Sequence, residues 1–255
     1  MSHSGLLAVD NDSAAHASRQ RLIVTRRDPL TGGYFAVGFL DKLSDGYEFS
    51  YLMQAVARPG FVPLLGFSDP GRRYRRAQLF PSFAERVIGA RRPDRPQYLA
   101  SLRLDDDAGP WEILAASGGY REGDAIELIS LPSFDAASAS TTARFLAHGV
   151  RHREPEASKW ISELHTGDTL SLEKEPTNEV NPRAIKIVDG DLHLGYVPDP
   201  LVDYVAEVIS GGQPNLTVVQ SNPPETNPHL RLLLHLQGQL NGPFPFDGIG
   251  WRTVP

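Results

Sequence analysis

"EPTNEVNPRAIKI" (175–187) is polar and turn-rich for nine residues, then alternates apolar and polar side chains. "VDGDLHLGYVP" (188–198) follows as a second alternating run and leaves through Gly195-Tyr196-Val197-Pro198. Alternation with a period of two places successive side chains on opposite faces of a strand. Pro176 and Pro182 stiffen the loop before it. A stiff polar loop, two strands and a glycine–tyrosine exit packed this closely predict the rim of a small β-barrel.

The surrounding sequence extends that pattern. "RFLAHGVRH" (144–152), "GDTLSLEKE" (167–175), "LTVVQS" (216–221) and "HLRLLLHLQG" (229–238) read as further strands. Two helices are expected among them. "EPEASKWISEL" (154–164) carries Ala157, Trp160, Ile161 and Leu164 on one face, and "PDPLVDYVAEVIS" (198–210) has proline at its start and Gly211-Gly212 after its end. The barrel is thus expected over 144–238. The Gly/Pro-rich tail 239–255 reads as loose, with Trp251 as a candidate docking point.

Upstream, residues 1–18 are small, polar and aperiodic and are expected to be disordered. A first domain is expected over 19–131. "RLIVT" (21–25), "YFAVGFL" (34–40) and "GYEFSYL" (46–52) are joined by turn signals and predict a β-meander. Residues 58–76 read as loop, and 81–90 and 95–104 as short helices. "PWEILAAS" and "DAIELISL" read as two strands around the turn "GGYREGD". The Ser/Ala-rich stretch 132–143 reads as an interdomain linker. The expected class is α+β, mostly β: a meander with short helices, then a small barrel carrying two helices.

Composition narrows the function. The chain has no cysteine, which excludes a disulfide scaffold, a thiolate zinc site and a cysteine nucleophile. No basic leader and no long apolar run is present, so a cytoplasmic protein without a membrane span is expected. Residues 1–100 hold 14 Lys+Arg against 9 Asp+Glu, and the remainder 11 against 22, so the net −6 divides into +5 and −11. An acidic mean argues against a sequence-blind duplex binder, while a local basic site is compatible with it. No nucleotide-binding glycine loop, zinc-protease helix, nucleophile elbow or kinase-type catalytic set appears, so no enzyme and no cofactor are expected.

His148 and His152 lie four apart on a predicted strand and so share a face. A metal needs a third ligand and the local sequence offers none, so no metal is expected. "GRRYRR" (71–76) sets Arg72, Arg73, Arg75 and Arg76 around Tyr74, a composition suited to phosphate contact with base stacking, or equally to a solvated loop. Gly118-Gly119 read as a hairpin turn rather than a phosphate cradle, since no helix is expected after them.

The second half resembles the HIRAN family over roughly 144–235. The resemblance rests on Phe145, Gly149, Val150 and Arg151, on Gly167-Asp168-Thr169-Leu170 with Leu172, and on Glu175-Pro176 and Asn178. It continues through Ala184-Ile185-Lys186-Ile187 to Leu194-Gly195-Tyr196-Val197-Pro198. It implies an OB-like barrel that binds single-stranded DNA, including free 3′-hydroxyl ends. It also implies that Arg151 contacts phosphate, that His152 stands where an aromatic residue stacks on a base, and that the 178–181 loop is the end-binding loop. Val180 and Asn181 depart from the family's tyrosine and aspartate there. Valine removes a stacking face worth about 1–3 kcal/mol per base, and asparagine gives up the acceptor-only character of a carboxylate.

The expected nucleic-acid site is Arg151, His152, Arg153, Asn178, Asn181, Arg183, Lys186 and Tyr196, with Arg72, Arg73, Tyr74, Arg75 and Arg76 as a possible extension. Gly149 and Gly195 are expected only to hold the barrel. The first half resembles, on "FAVGFL", "YEFSYL", "PLLGF", "LFPSFAERV" and "EILAASGG", the N-terminal subdomain of HipA-type proteins, which implies an interaction module. The expected function is non-enzymatic single-stranded DNA binding. The alternative is a protein–protein regulator whose first half binds a kinase or repressor while the barrel acts as a scaffold.

Overall fold

The structure, a computed structural model, describes residues 20–212 and 214–255. The expectation of disorder over 1–18 lies outside the described residues. Two antiparallel sheets organise the chain, one of five strands and one of seven.

The first sheet begins with the expected meander. β1 (Gln20–Arg27), β2 (Tyr34–Leu43) and β3 (Gly46–Tyr51) pair in sequence. Beyond β3, and after α1 (Met53–Val56), comes β4 (Tyr74–Arg76), so the last residues of the expected loop 58–76 form an edge strand. The expected helices are shorter than their patterns: α2 spans Pro81–Ala84 and α3 spans Arg95–Ala100.

The largest correction falls at "PWEILAAS". It is a helix, α4 (Pro110–Ser117), and not a strand. Pro110 sits in its first turn, where a missing N–H costs nothing, and Gly118 at φ 67° forms a left-handed cap at its end. Gly118-Gly119 therefore end a helix rather than turn a hairpin. β5 (Ile126–Ser130) then pairs with β1 and closes the sheet order β4-β3-β2-β1-β5.

The stretch 132–143, expected as a linker, carries β6 (Ser133–Asp135) and the first residues of β7 (Ser140–Leu146). Its serines and threonines bond within the hairpin: Thr141 Oγ1 donates to the Ser133 carbonyl at 2.6 Å. After α5 (Pro155–Glu163) come β8 (Thr169–Lys174), β9 (Ile185–Asp189) and β10 (Leu192–Tyr196), then α6 (Val202–Gly211), β11 (Asn215–Ser221) and β12 (Leu232–Gln239). Both expected helices and the strands of the quoted hairpin are present. The sheet order is β10-β9-β8-β11-β12-β7-β6, so the strand ladders leave an open sheet and do not define a closed barrel.

The expected strand 144–152 ends early. Gly149 at φ 68° turns the chain into a 3-10 turn at Val150–His152, so His148 and His152 share no strand face. Just before this turn, His148 and Tyr196 exchange two backbone hydrogen bonds of 2.9 Å. A Cβ on Gly195 would stand 2.8 Å from the His148 carbonyl oxygen, so only glycine lets the two chains approach here.

The two sheets share one apolar core, and the tail seals it. Leu240, Phe244, Phe246 and Val254 are buried, Trp251 stacks on Phe39 at 5.8 Å, and Thr253 bridges Leu52. The expectation of a loose tail is therefore overturned, while the docking of Trp251 is observed. Gly and Pro exclude long helices and strands from this segment, but its apolar side chains still gain by leaving water.

Candidate nucleic-acid interface

The rim is built where the 3-10 turn, the end of β10 and the loop 175–184 meet. Asn178 shapes the loop: its Oδ1 accepts the backbone N–H of Val180 at 3.0 Å and of Asn181 at 2.9 Å. Its Nδ2 donates to Glu175 at 2.7 Å, and the Tyr196 hydroxyl donates to the same Glu175 oxygen at 2.8 Å. Together with desolvation, which acts in the opposite direction, these bonds leave the Glu175 carboxyl below its usual range, the Asn178 bond contributing most. Glu175 is thus an anionic acceptor at the rim, and its second oxygen has no hydrogen bond among the described residues.

Arg153 is the fixed cation of the site. Its guanidinium lies over the Tyr196 ring, 5.1 Å from the centroid, and donates to His193 Nδ1 at 2.6 Å. His193 Nε2 in turn donates to the Gly195 carbonyl at 3.0 Å. Burial, then the charge of Arg153, push the His193 pKa down, consistent with a neutral ring that accepts from arginine.

Arg151 is the open cation. It is exposed and donates to His152 Nε2 at 2.8 Å, and among the described residues it has no carboxylate partner. Desolvation, followed by Arg151, Arg153 and Arg27, holds His152 below the ordinary histidine range. Arg27, at the end of β1, is the smallest of these contributors. The first sheet therefore adds positive charge to the rim of the second. Tyr34 stands beside it, with its backbone N–H donating to Asp199 at 2.7 Å.

The expected site residues divide. Arg151, His152, Arg153, Asn178 and Tyr196 come together. Lys186 joins them, cross-strand from Tyr196 on β9, while pairing with Glu173 at 3.1 Å. Asn181 faces the first sheet and donates to Asp199 at 2.8 Å. Arg183 turns to α6, where Asp203 holds it at 2.7 Å. Val180, 54% exposed, lies beside the β1–β2 turn: a Cβ on Gly33 would stand 3.7 Å from its Cγ1.

"GRRYRR" runs from a loop into the far edge strand of the first sheet, with Tyr74–Arg76 forming β4, whereas Arg27 ends β1 and acts on His152 at the rim. Its tyrosine is engaged in packing: Tyr74 meets Phe67 edge-on at 5.1 Å, and its hydroxyl bonds the Asp69 backbone. Arg75 pairs with Glu48 at 3.1 Å. Sequence reasoning missed Arg27, which reaches the rim from the first sheet, and His193 and Asp199, which flank Tyr196 on and just after β10.

The site is thus the cationic, hydroxyl-bearing rim of a small antiparallel β-domain. Residues 141–241 match the family model of the HIRAN domain. Among solved structures, the HIRAN domain of human HLTF is similar at 16% identity and a TM-score of 0.30, covering 39% of this chain and 75% of that one. No curated protein matches the chain.

Proposed function

We propose that the chain is a non-enzymatic binder of single-stranded DNA that prefers a free 3′-hydroxyl end. The observation that carries this reading is the arrangement of charge at the rim. Arg151 and Arg153, with Arg27 beside them, are set to neutralise backbone phosphates, while Glu175 presents an anionic acceptor among them. A carboxylate accepts from a sugar hydroxyl but repels a terminal phosphate. Glu175 thereby supplies the acceptor-only chemistry that Asn181 lacks.

Tyr196 and His152 offer flat surfaces to bases, while Val180 offers none, so affinity rests on phosphate and end contacts more than on stacking. The His148–Tyr196 bridge is read as the seam of an OB-like barrel that keeps the rim rigid. The first sheet serves as an interaction module that also contributes Arg27.

The test is fluorescence anisotropy with one single-stranded oligonucleotide ending in 3′-hydroxyl or in 3′-phosphate, and blunt duplex as control. The hydroxyl end should bind tightest. Equal binding of both ends would remove the end-reading claim. If no oligonucleotide binds at low salt, the nucleic-acid reading fails and the protein-docking alternative is favoured.

A further inference from the structure

Behind the rim, three side chains from distant parts of the sequence converge between the sheets. Glu127 comes from β5 of the first sheet. His148 follows β7, and His229 lies on the 3-10 turn Pro228–Leu230 before β12. Their ligand atoms all lie within 4.8 Å of one another. His148 Nε2 is 2.9 Å and His229 Nε2 3.7 Å from the same Glu127 oxygen, Oε1. All three are well shielded, with side-chain exposures of 5% for Glu127, 16% for His148 and 9% for His229.

The geometry points to a divalent metal site of the zinc type, in which Glu127, His148 and His229 bind the ion and staple the first sheet to the second. Two imidazoles and one carboxylate form a donor set that suits zinc. With metal–ligand bonds of about 2.0–2.2 Å, tetrahedral ligands stand roughly 3.3 Å apart. That spacing lies between the two nitrogen–oxygen separations observed.

Within the cluster, only His148 is hydrogen-bonded to Glu127. At 3.7 Å His229 is too far to bond Glu127, and its Nε2 donates instead to the Ser117 carbonyl at 3.0 Å. That carbonyl ends α4 and places a further oxygen donor beside the three ligands. Gly118 permits the approach, since a Cβ there would stand 3.3 Å from Glu127 Oε1.

Aromatic neighbours fix the rings. Tyr120 stacks on His229 at 4.4 Å and Tyr34 meets His148 edge-on at 5.6 Å. On binding, each imidazole coordinates through Nε2 as its Nδ1–H tautomer: the His229 proton held by the Ser117 carbonyl is given up from Nε2 and carried on Nδ1 by exchange with solvent, and any proton shared between His148 and Glu127 is released to solvent. The enclosure and the neighbouring carbonyl leave no open position for a substrate, so the ion is structural.

The test uses the full chain, stripped with a chelator and titrated with Zn2+ or Co2+ alone. The expected result is one equivalent bound, a tetrahedral Co2+ absorption spectrum, and a melting temperature raised by Zn2+. His229→Gln should weaken Zn2+ binding roughly a hundredfold or more, with circular dichroism reporting whether the variant is folded. A double substitution at two histidines outside both the cluster and the rim, His165→Ala with His235→Ala, should leave Zn2+ binding unchanged. Should His229→Gln not fold, the wild-type stoichiometry and the double variant decide. Failure of the wild type to take up one equivalent, loss of binding in the double variant, or full binding in folded His229→Gln would each overturn the site.

Discussion

Two clusters in this molecule combine arginines with a tyrosine, and they have opposite fates. Beside β4, Arg72 of the preceding loop lies 5.4 Å from the centroid of the Tyr74 ring; at the rim, Arg153 lies 5.1 Å from that of Tyr196. The pairings look alike. On β4, however, the tyrosine is committed to the aromatic core through Phe67 and to its own loop through Asp69. At the rim, the Tyr196 hydroxyl is bound to an anionic acceptor, and beside it Arg151 has no carboxylate partner among the described residues. Composition alone does not make a binding site; what counts is which groups the fold leaves unsatisfied.

Breaking each cluster should separate these roles. Tyr74→Ala carries the largest expected effect, a loss of about 2 kcal/mol of stability from the vacated ring. It would be read by urea denaturation, with DNA affinity of the folded protein unchanged. Arg151→Ala should instead leave the denaturation midpoint in place and weaken single-stranded DNA binding about tenfold, or about 1.4 kcal/mol.

Glu175→Gln sharpens the comparison further. It should reduce the preference for 3′-hydroxyl over 3′-phosphate by about 1 kcal/mol. Its pH dependence has a definite sign. Because the Glu175 carboxyl is held below its ordinary range, the preference should be constant from neutral pH down through that range. It should fade only as pH drops through the depressed value and the carboxylate protonates. The smallest effect belongs to Arg73→Ala on the edge loop, within about 0.5 kcal/mol in both stability and binding.

Much of this architecture was legible because it is local. Alternation marked the meander and the 185–196 hairpin, and the proline start with paired glycines marked α6. The misread elements share one cause. "PWEILAAS" is short and apolar enough to fit either a strand or a buried helix, and the cues at its ends, Pro110 and Gly118, were outweighed by an apparent hairpin with the following strand. The Ser/Ala stretch read as a linker because its hydroxyls are polar, yet in the hairpin they bond across the strands.

The rim was half legible. Asn178, Arg151 and Tyr196 lie within the family pattern, whereas Arg27 arrives from another sheet. The Glu127–His148–His229 cluster was beyond reach. Glu127 and His148 are 21 residues apart, and His229 joins them only through the tertiary fold.

The central claim is that the rim, and not the edge loop, meets phosphate. Its most direct test is the salt dependence of single-stranded DNA affinity for the wild type, Arg151→Ala and Arg73→Ala. Each phosphate contact on a single strand contributes about 0.7 to the slope of log affinity against log salt. The account predicts a slope shallower by about that amount in Arg151→Ala and a slope equal to wild type in Arg73→Ala. The reverse pattern, or a wild-type slope near zero, would contradict it.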